Sequence, residues 1–134
     1  PELPLIIRHG YAHEILRASN VALVASGTVT IEGLFAKTPM VVAYRMAPIT
    51  YFLMKRMIKV PYIAMPNILA GARLLPEYIQ NEANPANLAQ AINGWLLNER
   101  KVRQFETICT DIHISLRKGA AARAASEILQ LAAE

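Results

Sequence analysis

The sequence predicts an α/β fold, a parallel sheet with flanking helices that is closed by an all-helical tail. Two observations predict it. Short apolar runs alternate with helix-period stretches over the first two-thirds of the chain, the pattern of parallel βαβ units with right-handed crossovers. The last third shows the helical period alone. Taken in order, Leu5–Ile7 is the first expected strand, and Tyr11–Ser19 is a short helix with Ile15 and Leu16 inward. Val21–Ala25 is an unbroken apolar run, expected to be a strand buried on both faces. Ser26-Gly27-Thr28 breaks it, and Val29–Lys37 follows as a helix with Ile31, Leu34 and Phe35 on one side. After Pro39, Met40–Tyr44 reads as the next strand, and Pro48 opens a helix running to Lys59.

The tail begins at Asn84-Pro85, a side-chain cap followed by proline at the first helical position. Leu88, Ala91, Ile92 and Trp95 then recur at helical spacing. Val102, Phe105, Ile108, Cys109, Ile112 and Leu116 mark a second helix. Gly119 interrupts it, and an alanine-rich third helix is expected to turn Ile128, Leu129 and Ala132 inward. Residues 1–82 thus form the sheet-bearing part, and 83–134 a helical segment of the same domain.

At 134 residues the chain is the size of one domain. A hydrophobic share of 54% against 18% charged excludes intrinsic disorder. No stretch reaches the ~18 uninterrupted apolar residues of a membrane-spanning helix. Cys109 is the one cysteine, so no internal disulfide forms, which fits a reducing compartment. The chain opens Pro1-Glu2-Leu3-Pro4, with neither an initiator methionine nor a basic-then-apolar leader, and is expected to be a piece of a longer protein without a secretory signal. A net charge of +4 and a pI near 9.5 favour anionic partners.

Chemistry concentrates first at Ala25-Ser26-Gly27-Thr28-Val29-Thr30-Ile31-Glu32. A strand ends, a glycine permits a tight turn, and a helix begins, so free N–H groups and the helix dipole make an anion site beside two hydroxyls. Such loops sit at the carboxyl ends of parallel strands, where ligands bind. Glu32, one turn in, is placed to accept hydrogen bonds from a sugar diol. The plainer alternative is that Ser26 caps the helix and Glu32 complements its dipole. The loop is neither a Walker A motif nor a hydrolase nucleophile elbow. Next comes Ala64-Met65-Pro66-Asn67-Ile68-Leu69-Ala70-Gly71, where Asn67 either offers its amide to a ligand or caps a short helical turn.

The helix from Pro48 puts Lys55, Arg56 and Lys59 on one arc and Ile49, Leu53 and Met57 on an adjacent one, with Phe52 among the cations. Cations around an exposed ring suit an anionic membrane surface or a lipid phosphate; the alternative is a solvated basic face, with Phe52 covered by a neighbouring domain. His9 and His13 stand four apart with no third ligand beyond Glu14, so no metal site is expected. His113 and Cys109 share a helix face whose pattern is core, and no two carboxylates are paired for acid–base work.

Together, Leu23–Glu32, Ala36–Met46, Met65–Gly71 and Leu75–Gln80 resemble the lipid-A-disaccharide synthase family, in order and at its spacing, across most of the first hundred residues. The tail matches in character only. The resemblance implies a Rossmann-like donor domain of a GT-B glycosyltransferase, here roughly the carboxyl-terminal third. It implies an enzyme joining UDP-2,3-diacylglucosamine to 2,3-diacylglucosamine 1-phosphate with inversion, releasing UDP. Residues 1–82 would then be the UDP-sugar-binding part. Ser26, Gly27 and Thr28 would hold the diphosphate, Glu32 the ribose hydroxyls, and the backbone around Arg8-His9-Gly10 would edge the uracil. Asn67 and Gln80 would lie near the diphosphate or donor sugar, with Arg45 in the same region. Because both substrates carry acyl chains, it also strengthens the membrane reading of Phe52, Lys55, Arg56 and Lys59, at the cytoplasmic face of a Gram-negative inner membrane.

No catalytic residue, metal or cofactor is expected in this part, and homo-oligomer formation is left open. The run Val29-Thr30-Ile31-Glu32-Gly33-Leu34 departs from the family, with β-branched residues and a glycine where alanine and leucine are usual. Two competing functions are a UDP-sugar epimerase, which shares the fold but needs no basic aromatic helix, and a basic nucleic-acid-binding module. The second ranks last, because the cations are scattered rather than clustered with stacking aromatics.

Overall fold

A computed structural model describes residues 3–57, 61–117 and 119–131. The order is α1 (Ala12–Ala18), β1 (Ala22–Val24), α2 (Val29–Ala36), β2 (Met40–Tyr44), α3 (Pro48–Met57), α4 (Met65–Ala70), β3 (Glu77–Ile79), a 3-10 turn (Gln80–Glu82), α5 (Pro85–Leu96), α6 (Glu99–Leu116) and α7 (Ala120–Leu131). The class is α/β. Three parallel strands run in the order β1-β2-β3, with Val24 opposite Val42 and Tyr44 opposite Ile79.

β2 is central, and its Met40, Val41 and Val42 are buried, as β-branched and apolar side chains are when both faces of a strand are covered. β1 lies at an edge. Leu23 is 51% exposed there, which corrects the expectation of a strand buried on both faces: the outward face of β1 has no covering layer among the described residues. β3 was not expected, since Glu-Tyr-Ile is too short to carry a period. Leu5–Ile7 is not a strand. Its three side chains are exposed and it pairs with no strand among the described residues, so the run gains no ladder bonds.

α2 lies on the sheet through Leu34 and through Gly33, where a Cβ would fall on the Sδ and Cε of buried Met40. Gly33 therefore makes room for a methionine. Beyond the sheet, α5 and α6 complete the same core. Trp95, Phe105 and Cys109 join Leu34, Met40, Val41, Val42, Ala64 and Leu75, and burying each large apolar side chain stabilises by roughly 1.5–3 kcal/mol. The indole Nε1 of Trp95 donates to the Met40 carbonyl at 3.1 Å, and its ring meets Phe105 edge-on at 5.3 Å. Both helix starts are capped: Asn84 accepts from the Asn87 N–H at 3.0 Å, and Asn98 from the Lys101 N–H at 2.9 Å.

Other inward expectations are corrected. Ile15 is partly exposed; Phe35, expected on one side of α2 with Ile31 and Leu34, lies against His113 with ring centroids 4.9 Å apart. Ile128 and Leu129 of α7 are 65% and 71% exposed, because no described element covers that helix's apolar stripe. Ala132 lies outside the described residues. Among the described residues no helix is long and apolar enough to cross a membrane.

Candidate functional site

The three strands end side by side, and each chain exit carries one of the singled-out segments. β1 leads into Ala25-Ser26-Gly27-Thr28, β2 into Arg45-Met46, and β3 into Gln80. The last paired residues are Val24 opposite Val42 and Tyr44 opposite Ile79, so the loop at Ala25 leaves β1 beside β2. α1 runs into β1 from the amino edge, where Thr38 Oγ1 donates to the Leu16 carbonyl at 2.7 Å. His9 and Gly10 precede its first residue, and both are exposed.

Gly27 turns the loop with φ 152°, a region that favours glycine, and a Cβ there would meet nothing within 4 Å. The Gly27 carbonyl accepts from the Thr30 N–H at 3.1 Å and from Thr30 Oγ1 at 2.7 Å. The Thr28 carbonyl accepts from Ile31 and Glu32. The N–H groups of Gly27, Thr28 and Val29 donate to nothing among the described residues, and neither Ser26 nor Thr28 caps the helix with its side chain. Unpaired donors at the positive end of α2 form a surface that prefers an anion. Glu32 stands half-buried on the same first turn.

Arg45 and Gln80 are brought together. Arg45 Nε donates to the Gln80 carbonyl at 3.1 Å. The Gln80 side chain takes both backbone groups of Met46: Oε1 accepts from its N–H at 2.8 Å, and Nε2 donates to its carbonyl at 3.0 Å. Asn67 sits deeper. It is fully buried, its Oδ1 accepts from the Leu75 N–H at 2.7 Å, and its Nδ2 donates to the Leu75 carbonyl and to Glu77. Glu77 was missed by the sequence reading. Its carboxylate also accepts from the N–H groups of Ile63 and Ala64, anchoring the start of α4. The signal was present in the chain, since Glu77 is the first carboxylate after Glu32.

The basic aromatic helix α3 opens at Pro48, shortly after Met46. On α3, Ile49, Phe52, Leu53 and Arg56 are exposed, Phe52 at 63%. Lys55 belongs to α3 by its backbone, while Lys59 lies outside the described residues. A cavity of about 530 Å³ opens at the opposite, amino edge of the sheet, between Lys37, Pro39, Trp95 and Arg103. It is remote from the strand exits. Cys109 is unsuited to nucleophilic work, because burial pushes its thiol up to about 12. Partial burial also lowers the ammonium of Lys101, which lies 3.9 Å over the Trp95 ring. Among the described residues no group of three His, Cys, Asp or Glu side chains gathers to hold a metal.

A family model described as lipid-A-disaccharide synthetase matches residues 1–132. Among curated proteins, the lipid-A-disaccharide synthase of Azotobacter vinelandii is 45% identical over 132 residues, covering 98% of this chain and 34% of the relative. That of Pseudomonas fluorescens is 46% identical over 133 residues, 96% of this chain and 33% of the relative. That of Dechloromonas aromatica is 40% identical over 129 residues, 96% of this chain and 34% of the relative. The chain spans about a third of the length of the curated relatives it matches.

Proposed function

The chain belongs to the lipid-A-disaccharide synthetase family, and from that premise we propose that it is the donor-nucleotide part of a two-domain, GT-B-type glycosyltransferase. The reaction joins UDP-2,3-diacylglucosamine to 2,3-diacylglucosamine 1-phosphate, giving lipid A disaccharide 1-phosphate and UDP. The observation that carries the assignment is the set of unpaired N–H groups of Gly27, Thr28 and Val29 at the start of α2. When the acceptor hydroxyl displaces UDP at the anomeric carbon, negative charge grows on the departing diphosphate. Donors already fixed in place stabilise that charge without reorganising. Ser26, Gly27 and Thr28 hold the diphosphate, Glu32 accepts from the ribose hydroxyls, and the backbone at His9 and Gly10 edges the uracil. Arg45, Gln80 and Asn67 support the same edge.

The base that takes the acceptor proton belongs to the rest of the enzyme. Both substrates are lipids, so the protein works at the cytoplasmic face of the inner membrane of a Gram-negative bacterium, with α3 toward the anionic surface. Calorimetric titration of the chain with UDP, with UMP and ADP as controls, tests the assignment. Binding is expected to prefer UDP and to weaken about tenfold in Glu32→Ala, the loss of one or two hydrogen bonds to a charged group. The chain alone is expected to form no disaccharide. A folded sample indifferent to millimolar UDP, or one that turns substrate over, contradicts the assignment.

A further inference from the structure

We propose that Gln80 is a positioning residue that aims Arg45 at the donor diphosphate, and is not itself a ligand of the nucleotide. The inference rests on the donor-half reading and adds a division of labour to it. Gln80 adopts φ 55°, a left-handed conformation that a side-chain-bearing residue rarely holds. Three hydrogen bonds keep it there: its amide accepts from the N–H of Met46 and donates to that residue's carbonyl, and the guanidinium of Arg45 donates to the Gln80 carbonyl. Both ends of the amide are thereby engaged on the chain leaving β2.

Arg45 shows the complementary pattern. Its Nε is tied, while its two terminal nitrogens meet no acceptor among the described residues. Among the described residues Arg45 forms no ion pair with a carboxylate. An exposed arginine ordinarily wanders. Pinned through Nε, this one keeps its guanidinium plane fixed and leaves the paired donors that suit a phosphate edge. β1 is the strand on the other side of β2, and its exit carries the free amides of Gly27, Thr28 and Val29. Two sets of donors that prefer anions thus leave adjacent strands at one edge of the sheet.

The test compares the affinities of wild type, Arg45→Ala, Arg45→Lys, Gln80→Ala and the Arg45→Ala/Gln80→Ala double variant for UDP and for uridine, with thermal unfolding run on each. Wild type is expected to prefer UDP. Arg45→Ala and Gln80→Ala should each cut that preference about tenfold while leaving uridine affinity unchanged. The double variant should lose no more than either single one. Arg45→Lys keeps the charge but has no Nε for the Gln80 carbonyl, and should recover only part of the loss. Equal loss of UDP and uridine in Gln80→Ala, additive losses in the double variant, or full UDP preference in Arg45→Ala would overturn the inference. A wild type without UDP preference would overturn the donor-half reading, and this inference with it.

Discussion

Asn67 shows how one buried amide can hold several segments. Its side chain closes both backbone bonds of Leu75 and reaches the Glu77 carboxylate, which in turn holds the start of α4. Truncation leaves a buried N–H, a buried carbonyl and a carboxylate short of partners, each costing ~1–3 kcal/mol. Asn67→Ala is therefore expected to lower stability by about 2–4 kcal/mol in urea unfolding. UDP titration at a temperature where the variant stays folded should show a smaller loss than Glu32→Ala, because the amide is committed to the protein. A larger loss would make Asn67 a ligand. At the same scale, Gly33 and Met40 form a matched pair in which the missing Cβ of one is the space occupied by the other.

Among the elements, α3 is little embedded, with Ile49, Phe52 and Leu53 turned outward beside Arg56. An apolar ring among cations gains twice at an anionic bilayer, by burial of the ring and by Coulomb attraction. Flotation with vesicles rich in phosphatidylglycerol should carry the chain upward, more weakly for Phe52→Ser/Lys55→Ser, and hardly at all with phosphatidylcholine. Equal flotation of variant and wild type would remove α3 from the membrane surface. The elements also show what the sequence made legible. Met40–Tyr44 and the Asn84 cap were readable because local chemistry decides them, an unbroken apolar run in one case and an amide beside a proline in the other. The outward face of Leu23 was not, since it depends on β1 being an edge, which strand order alone determines. Of the candidate site, the Ser26-Gly27-Thr28 turn was legible. The Gln80 clip was not, because its partners are 34 and 35 residues away.

For the molecule as a whole, the helical tail and the sheet share one core, and Cys109 lies inside it. Burial raises the thiol from 9.0 to about 12. The unfolded chain loses that proton first, so the stability tied to the neutral thiol is complete below pH 9. It is lost as pH climbs from 9 towards 12. Melting temperature should fall across that window, and the fall should be shallower in Cys109→Ala. Identical slopes would remove the thiol as its source. Exposed apolar side chains at Leu5–Ile7, on α3 and on α7 also favour self-association of the isolated chain, visible in sedimentation as mass rising with concentration. The indole tied to Met40 has a spectroscopic consequence. Trp95 is the chain's single tryptophan and stands where helices meet strands, so its emission reports one event, the docking of the tail on β2. A red shift that precedes the loss of far-ultraviolet dichroism would mean the tail detaches first. Coincident curves would mean that sheet and tail melt together, as one optical and thermodynamic unit.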